Sequence, residues 1–215
     1  MRIALIHAVT VAIAPVHEAF ARRWPAAEVF DLLDTSLSAD RERDGELTAA
    51  MIRRIGDLAS YAERTGAAGI LFTCSAFGDA IEAAARASRV PVLKPNEAMF
   101  DAALDAGERI GMLATFQPSV PGMEEEFRAA AAERGSPATI ETVCVPEAMA
   151  ALKAGNADEH NGLLAVAASR LAPCDAVLLA HFSTSRAEDA VRAAISRPVL
   201  TAPGAAVEKL ETLLA

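Results

Sequence analysis

A chain of 215 residues is long enough to bury one large core or two smaller ones. Its hydrophobic fraction of 53%, mostly Ala, Val, Leu and Ile, argues against disorder, and its 5% of aromatics leaves no broad stacking surface for bases or sugars. The net charge of -9 disfavours a nucleic-acid partner, because phosphate binding needs clustered Lys and Arg. No stretch reaches the roughly 20 apolar residues of a membrane span, so no membrane partner is expected.

The chain opens Met1-Arg2 followed by IALIHAVTVAIA, which has the basic start and small residues of a weak secretory leader. The same pattern restarts at Arg109-Ile110 in mid-chain, so it reads as structure, and a cytoplasmic protein is expected. Ile3 to Ala8 is a short apolar run, a first strand, and a helical stretch follows from about Pro15 to Arg23. Glu28 to Leu33 is the second strand. From Glu46 to Arg64 the apolar residues Leu47, Met51, Ile55 and Leu58 fall at helical spacing, and Gly66 ends the helix. Gly69 to Thr73 reads as a buried strand, Asp79 to Ala87 as a helix, and Val90 to Leu93 as a fourth strand. Pro95 then opens a linking helix, Glu97 to Ala106. Strands alternating with helices point to βαβ units and a mainly parallel sheet.

The second half restarts in step, at a fixed offset of 107 residues. Arg2-Ile3 pairs with Arg109-Ile110, Phe20 with Phe127, Ile70-Leu71-Phe72 with Val177-Leu178-Leu179, and Pro91-Val92-Leu93 with Pro198-Val199-Leu200. Ala-rich α/β sequence matches itself easily, but the Pro-Val-Leu and Arg-Ile matches are not Ala-driven, which favours duplication. Only the second strand, Thr139 to Val145 in the second copy, needs a small gap. The expected fold is therefore α/β: two pseudo-symmetric parallel-sheet lobes with an active-site cleft between them. The first repeat covers 1–104 and the second 105–215, and a terminal helix over 203–215 is expected to pack back on the first lobe.

Ligands of such folds bind beyond the carboxyl ends of the parallel strands, so function is sought there. After the third strand comes Thr73-Cys74-Ser75-Ala76-Phe77-Gly78, matched in the second copy by Ala180-His181-Phe182-Ser183-Thr184-Ser185. Cys74 lies where a strand turns into a helix, and a helix N-terminus favours a thiolate able to act as base or nucleophile. A buried cysteine serving as a small hydrophobe is the ordinary alternative. The small polar neighbours Thr73 and Ser75 favour the functional reading. Cys144 and Cys174, within and just before apolar strands, read as structural; three cysteines without metal-ligand spacing fit a reducing compartment and no disulfide framework. His181 stands at the repeat equivalent of Cys74. It either orients its loop or transfers a proton, a task its imidazole suits near neutral pH.

His7 also follows a strand and is placed to bind a carboxylate or to orient Cys74. His17 and His160 fall in helical stretches as surface or packing residues. Ser185 with Glu188 forms an S-x-x-E capping box. Ser75, Thr115 and the N–H groups around Ala76 and Phe116 form a candidate anion cradle, although Ser and Thr also serve as plain caps. Lys94 ends a strand, but no glycine loop accompanies it to hold the phosphate of a pyridoxal cofactor.

Three segments carry a family resemblance: LFTCSAFG after the third strand, RIGMLAT opening the second copy, and DAVLLAHFSTSRA at its third strand. Together they resemble the aspartate/glutamate racemase superfamily, which includes hydantoin racemases, maleate cis–trans isomerases and arylmalonate decarboxylases. The resemblance spans essentially the whole chain. It implies an isomerase that needs no cofactor, a small carboxylate substrate, and a homo-oligomer. In that family two cysteines, one from each half, face the substrate's α-carbon from opposite sides, and hydrogen-bond donors hold the carboxylate and the enediolate. Cys74 matches the first family cysteine. Ser75 and Thr115 match the small polar residues that hold carboxylate, the loop of His7 and Thr10 matches the first substrate loop, and Ala76, Phe116 and Ser183 complete the expected substrate contacts.

The second cysteine is replaced by His181, so the resemblance implies either an asymmetric thiol–imidazole pair or a single-cysteine enzyme. The one-cysteine decarboxylases of the family keep the cysteine of the other half. Two readings from other classes remain: a cysteine hydrolase with His181 or His7 as base, although the flanking G-x-C-x-G of a nucleophile elbow is absent, and a non-catalytic ligand-binding module.

Overall fold

The computed structural model describes all residues from Met1 to Ala215. The first half contains β1 (Arg2–His7), α1 (Ile13–Arg23), β2 (Glu28–Leu33), α2 (Thr35–Asp44), α3 (Ala49–Arg64), β3 (Gly69–Phe72), α4 (Gly78–Ala87), β4 (Val92–Leu93) and α5 (Glu97–Ala106). The second contains β5 (Arg109–Ala114), α6 (Val120–Glu133), β6 (Thr139–Cys144), α7 (Pro146–Lys153), α8 (Ala157–Ala168), β7 (Ala176–Leu179), α9 (Glu188–Ala194), β8 (Val199–Thr201) and α10 (Ala202–Leu214). Two parallel four-stranded sheets result, ordered β2-β1-β3-β4 and β6-β5-β7-β8.

The repeat is visible in the hydrogen-bonding register. Ile3 lies opposite Gly69 and Ile70 opposite Val92, while Ile110 lies opposite Ala176 and Val177 opposite Val199, each partner displaced by 107. The second strands break the offset: Arg2 faces Glu28, but Arg109 faces Thr139, which lies 111 residues beyond Glu28. The four extra residues are about one helical turn, and α6 has 14 residues where α1 has 11.

Both faces of both sheets are covered, which is why the strands read as continuous apolar runs. Successive side chains point to opposite faces. Ile3 and Leu5 of β1 therefore join Ile110 and Met112 of β5 in one buried cluster, with Phe20 of α1, Phe100 of α5, Phe127 of α6 and Val207 of α10. Ala4 and Ile6 instead meet Met51 and Ile55 of α3 and Ile81 of α4. In the second half Leu113 and Val177 meet Ala148 of α7, Leu164 of α8 and Val191 of α9. The shared cluster joins the halves, and Phe100 and Phe127 meet edge-on there at 5.7 Å, an arrangement worth about 0.5–1.5 kcal/mol beyond the area it buries. The terminal helix packs against α1 and α5, and its Leu210 and Leu214 close over the backbone of Gly69 in β3.

Helix α2 has no counterpart among the expected elements, because its sequence TSLSADRERD is polar almost all round and only Leu37 is buried. It is held from both ends. The Asp34 carboxylate accepts from the Ser36 N–H at 3.1 Å, and Gly45 in the left-handed conformation (φ 71°) ends the helix. Arg54 of α3 donates to Asp34 at 2.5 Å and to Asp40 at 2.7 Å. No helix is long and apolar enough to cross a membrane.

The Ser185–Glu188 capping box does not form. Ser185 lies inside a 3-10 turn, Phe182–Ala187, where its hydroxyl donates to the Phe182 carbonyl at 2.8 Å, and α9 begins at Glu188 itself.

Candidate active site

Each half sends its two central strands toward the junction, and a 3-10 turn follows each: Thr10–Ala12, Ser75–Phe77, Gln117–Ser119 and Phe182–Ala187. Between them lies a narrow cavity of about 40 Å³. Thr73, Cys74 and Ser75 line it from the first half, and Phe116, His181 and Ser183 from the second. Met149 and Lys153 of α7 and Ser38 of α2 complete its rim, three residues that strand-end reasoning missed because they come from helices. The free space holds little more than water, so a substrate must displace the apolar wall of Val9, Phe116, Met149 and Phe182.

Five of the expected site residues meet here: Cys74, Ser75, Phe116, His181 and Ser183. The other four do not reach this wall. His7 is fully buried, with Nδ1 2.8 Å from Thr73 Oγ1 and Nε2 2.9 Å from Asp31 Oδ1, so neither ring nitrogen is free for a substrate. Thr10 is exposed on the adjacent turn. Ala76 faces a neighbouring groove, and its carbonyl accepts from Arg41 Nε at 3.3 Å. Thr115 is buried with an unpartnered hydroxyl. It is the repeat equivalent of Ala8, whose side chain belongs to the apolar cluster on the outer face of the first sheet.

The expected thiolate is also corrected. Cys74 precedes a single 3-10 turn, and burial pushes its thiol up to about 11. The Ala76 N–H and the nearby Arg41 charge pull the other way and only partly offset the loss of solvent. His181 is driven in the opposite sense by the same cause: burial pushes its pKa down to about 4. At neutral pH the cavity thus contains a thiol and an uncharged imidazole.

One hydrogen bond crosses between the halves in this cavity: Ser75 Oγ lies 3.2 Å from His181 Nδ1. The other ring nitrogen, Nε2, is buried without a partner. The His181 turn is closed by two hydrogen bonds: its N–H donates to Thr184 Oγ1 at 3.0 Å and the Thr184 N–H returns to the His181 carbonyl at 3.0 Å.

No group of three or more His, Cys, Asp or Glu side chains is arranged to hold a metal ion. Lys94 is engaged outside the cavity, 2.6 Å from Glu82 and 3.9 Å from Glu126. His160 is buried in α8 with Nδ1 2.9 Å from Asn161 Oδ1, and His17 Nε2 lies 2.8 Å from Asp31 Oδ1. Cys144 is half-buried, Cys174 is buried, and both thiols are unpaired and pushed up by burial.

Two like α/β halves that present strand-end groups to one cavity define a class of two-lobed α/β proteins. The chain belongs to the Asp/Glu/hydantoin racemase family, whose model matches residues 8–171. Solved structures agree with the fold. The glutamate racemase of Thermus thermophilus, solved with β-chloro-D-alanine, superposes with a TM-score of 0.77 at 18% identity, covering 99% of this chain and 80% of its own. The allantoin racemase of Pseudomonas fluorescens gives 0.73 at 16% identity, covering 100% and 91%. A liganded double mutant of arylmalonate decarboxylase gives 0.67 at 18% identity, covering 100% and 92%. No curated protein matches the chain in sequence.

Proposed function

We propose that the protein is a cofactor-independent racemase or isomerase acting by proton transfer at the carbon α to the carboxylate of a small acid or amino-acid derivative. The observation that carries this reading is the single cavity lined by Cys74 of one half and His181 at the equivalent place of the other. Both groups are neutral, so Cys74 carries a proton to give and His181 a lone pair to take one; burial weakens the thiol as an acid and the imidazole as a base, and the bound substrate's own charge has to offset that. His181 Nε2 takes the α-proton from one face, breaking C–H and forming N–H. The Cys74 thiol gives its proton to the opposite face, breaking S–H and forming C–H. The pair is left as imidazolium and thiolate, and turnover of the opposite enantiomer restores it. In this step Nδ1 carries the other ring proton and donates it to Ser75 Oγ, which leaves Nε2 bare. Ser75 and Ser183 hold the carboxylate as it becomes an enediolate.

The experiment is α-proton exchange in deuterated water, followed by NMR with single enantiomers of small acids, amino acids and their cyclic or carbamoyl derivatives. Wild type exchanges an accepted substrate, and Cys74→Ala loses at least a thousandfold in rate. Conversion of one enantiomer into the other that survives Cys74→Ala sinks the proposal.

One observation supports a second reading. A thiol pushed to about 11 rests protonated at neutral pH and has one proton to give to one face of the carbanion left by loss of carbon dioxide, after which solvent restores it. Carbon dioxide release from a malonate, with no α-proton exchange of the product, distinguishes that decarboxylase.

A further inference from the structure

Behind the cavity wall a hydrogen-bonded chain runs from the site to the surface. Thr73 Oγ1, on the wall, lies 2.8 Å from His7 Nδ1; His7 Nε2 lies 2.9 Å from Asp31 Oδ1; and Asp31 accepts from His17 Nε2 at 2.8 and 3.0 Å. The chain grades from dry to wet. His7 has no exposed surface, Thr73 only 4%, and the side chains of Asp31 and His17 are 34% and 37% exposed. Three strands and a helix build it. Asp31 of β2 pairs in register with Leu5 of β1, two residues before His7, and His17 comes down from α1.

The proton positions follow from the partners. Burial works to raise the Asp31 carboxyl, but hydrogen bonds from His17 and His7 outweigh it and hold the group below the usual range, so it is ionised. Burial keeps His7 uncharged despite Asp31 beside it. A neutral imidazole facing a carboxylate puts its proton on Nε2, leaving Nδ1 to accept from the Thr73 hydroxyl. Thr73, which lines the cavity, thus gives its hydroxyl proton to His7 at 2.8 Å, with the Ile6 carbonyl a longer alternative at 3.4 Å. A hydroxyl, an imidazole and a carboxylate in this order form the arrangement by which hydrolases move a proton off a hydroxyl.

We propose that Thr73, His7, Asp31 and His17 form a proton relay connecting the cavity to solvent, with Thr73 as its cavity end. The proposal deepens the proton-transfer reading above and rests on it for its purpose: a thiol–imidazole pair left charged in a narrow cavity is reset by a route along which protons re-equilibrate with solvent. In one outward step a donor in the cavity loses its proton to Thr73 Oγ1 while the Thr73 proton passes to His7 Nδ1. The His7 Nε2 proton then moves to Asp31. Asp31, partly exposed, hands it to water, while the His17 Nε2–H holds the carboxylate in place. One proton leaves the cavity, one reaches solvent, the net charge of the chain is unchanged, and His7 carries its proton on Nδ1 until the ring resets. His7, Asp31 and His17 are the titratable groups that meet along this path, and each bears on the others.

The test does not need a substrate. The solvent exchange of the His7 Nε2–H, read by nitrogen-15 NMR of the intact protein, should slow at least tenfold in Asp31→Asn and measurably in His17→Ala. Both sites are partly exposed, so folding is preserved. An exchange rate equal to or faster than wild type in Asp31→Asn, or a His7 ring carrying its proton on Nδ1, overturns the relay. A second measurement uses any acid whose α-proton exchanges: Asp31→Asn lowers kcat at least tenfold with KM unchanged, and Thr73→Ser keeps the rate that Thr73→Val loses. Unchanged kcat in Asp31→Asn refutes the relay while leaving the Cys74 and His181 assignment standing. If no acid exchanges, that assignment fails and the His7 proton measurement still decides the relay.

Discussion

Replacing His181 by Gln removes a titrating group whose pH response is large enough to measure as stability. Burial takes the imidazole from an ordinary 6.5 to about 4 in the folded chain. Between those values the unfolded chain binds a proton that the folded chain refuses, so stability rises with pH across this window and is lost as pH falls through it. Between pH 7.5 and pH 5 the loss amounts to about 2 kcal/mol from this one residue. With a urea slope of about 2–3 kcal/mol per molar, the wild-type midpoint should drop by roughly 0.7–1 M more than that of His181→Gln. His7 and His160, also pushed down by burial, act with the same sign, but they are present in both proteins and cancel in the difference. The assay is urea unfolding at pH 7.5, 6 and 5 followed by circular dichroism. A midpoint difference between the two proteins that does not change with pH would refute the claim that His181 is buried uncharged.

Three further outcomes follow from the same structure. Glu126, pushed by burial up to about 7, has the opposite sign: the folded chain holds its proton above the ordinary 4.5, so stability falls as pH rises through about 7, and Glu126→Gln should flatten that limb of the urea profile. Cys74, raised from 9.0 to about 11, should show a hundredfold smaller thiolate share near pH 8 than an ordinary thiol, and iodoacetamide labelling followed by mass spectrometry should inflect near 11; an inflection at or below 9 counts against the burial argument. At Gly78 an added methyl meets only the end of the flexible Glu126 side chain, which can swing aside, and Gly78 has helical dihedrals, so Gly78→Ala should change stability by less than about 1 kcal/mol in thermal unfolding; a larger loss would show that Glu126 is held in place.

Part of the site was legible because it depends on local pattern. Apolar runs bounded by Gly and Pro mark the strands, and a fold of parallel strands places its ligands at their carboxyl ends. Strand-end position, joined to the family resemblance, put Cys74, Ser75, Phe116, His181 and Ser183 together, and the structure lines one cavity with all five. The same logic failed for Thr10, Ala76 and Thr115, since reaching a strand end does not decide which way a side chain turns. It missed α2 because a helix held by Asp34, Arg54 and Asp40 rather than by an apolar stripe leaves little periodic signal. With α2 went Ser38 on the rim and Arg41, whose charge bears on Cys74.

By itself the sequence determined the alternation of strand and helix, the 107-residue register of the two halves, and the exchange of thiol for imidazole between them. These are properties of spacing, and spacing survives without coordinates. Only the tertiary structure decided the charge state of that pair, because desolvation comes from atoms far along the chain. It alone also decided the role of His7. That residue's partners lie 24 and 66 positions away, and only strand pairing brings them within hydrogen-bond reach.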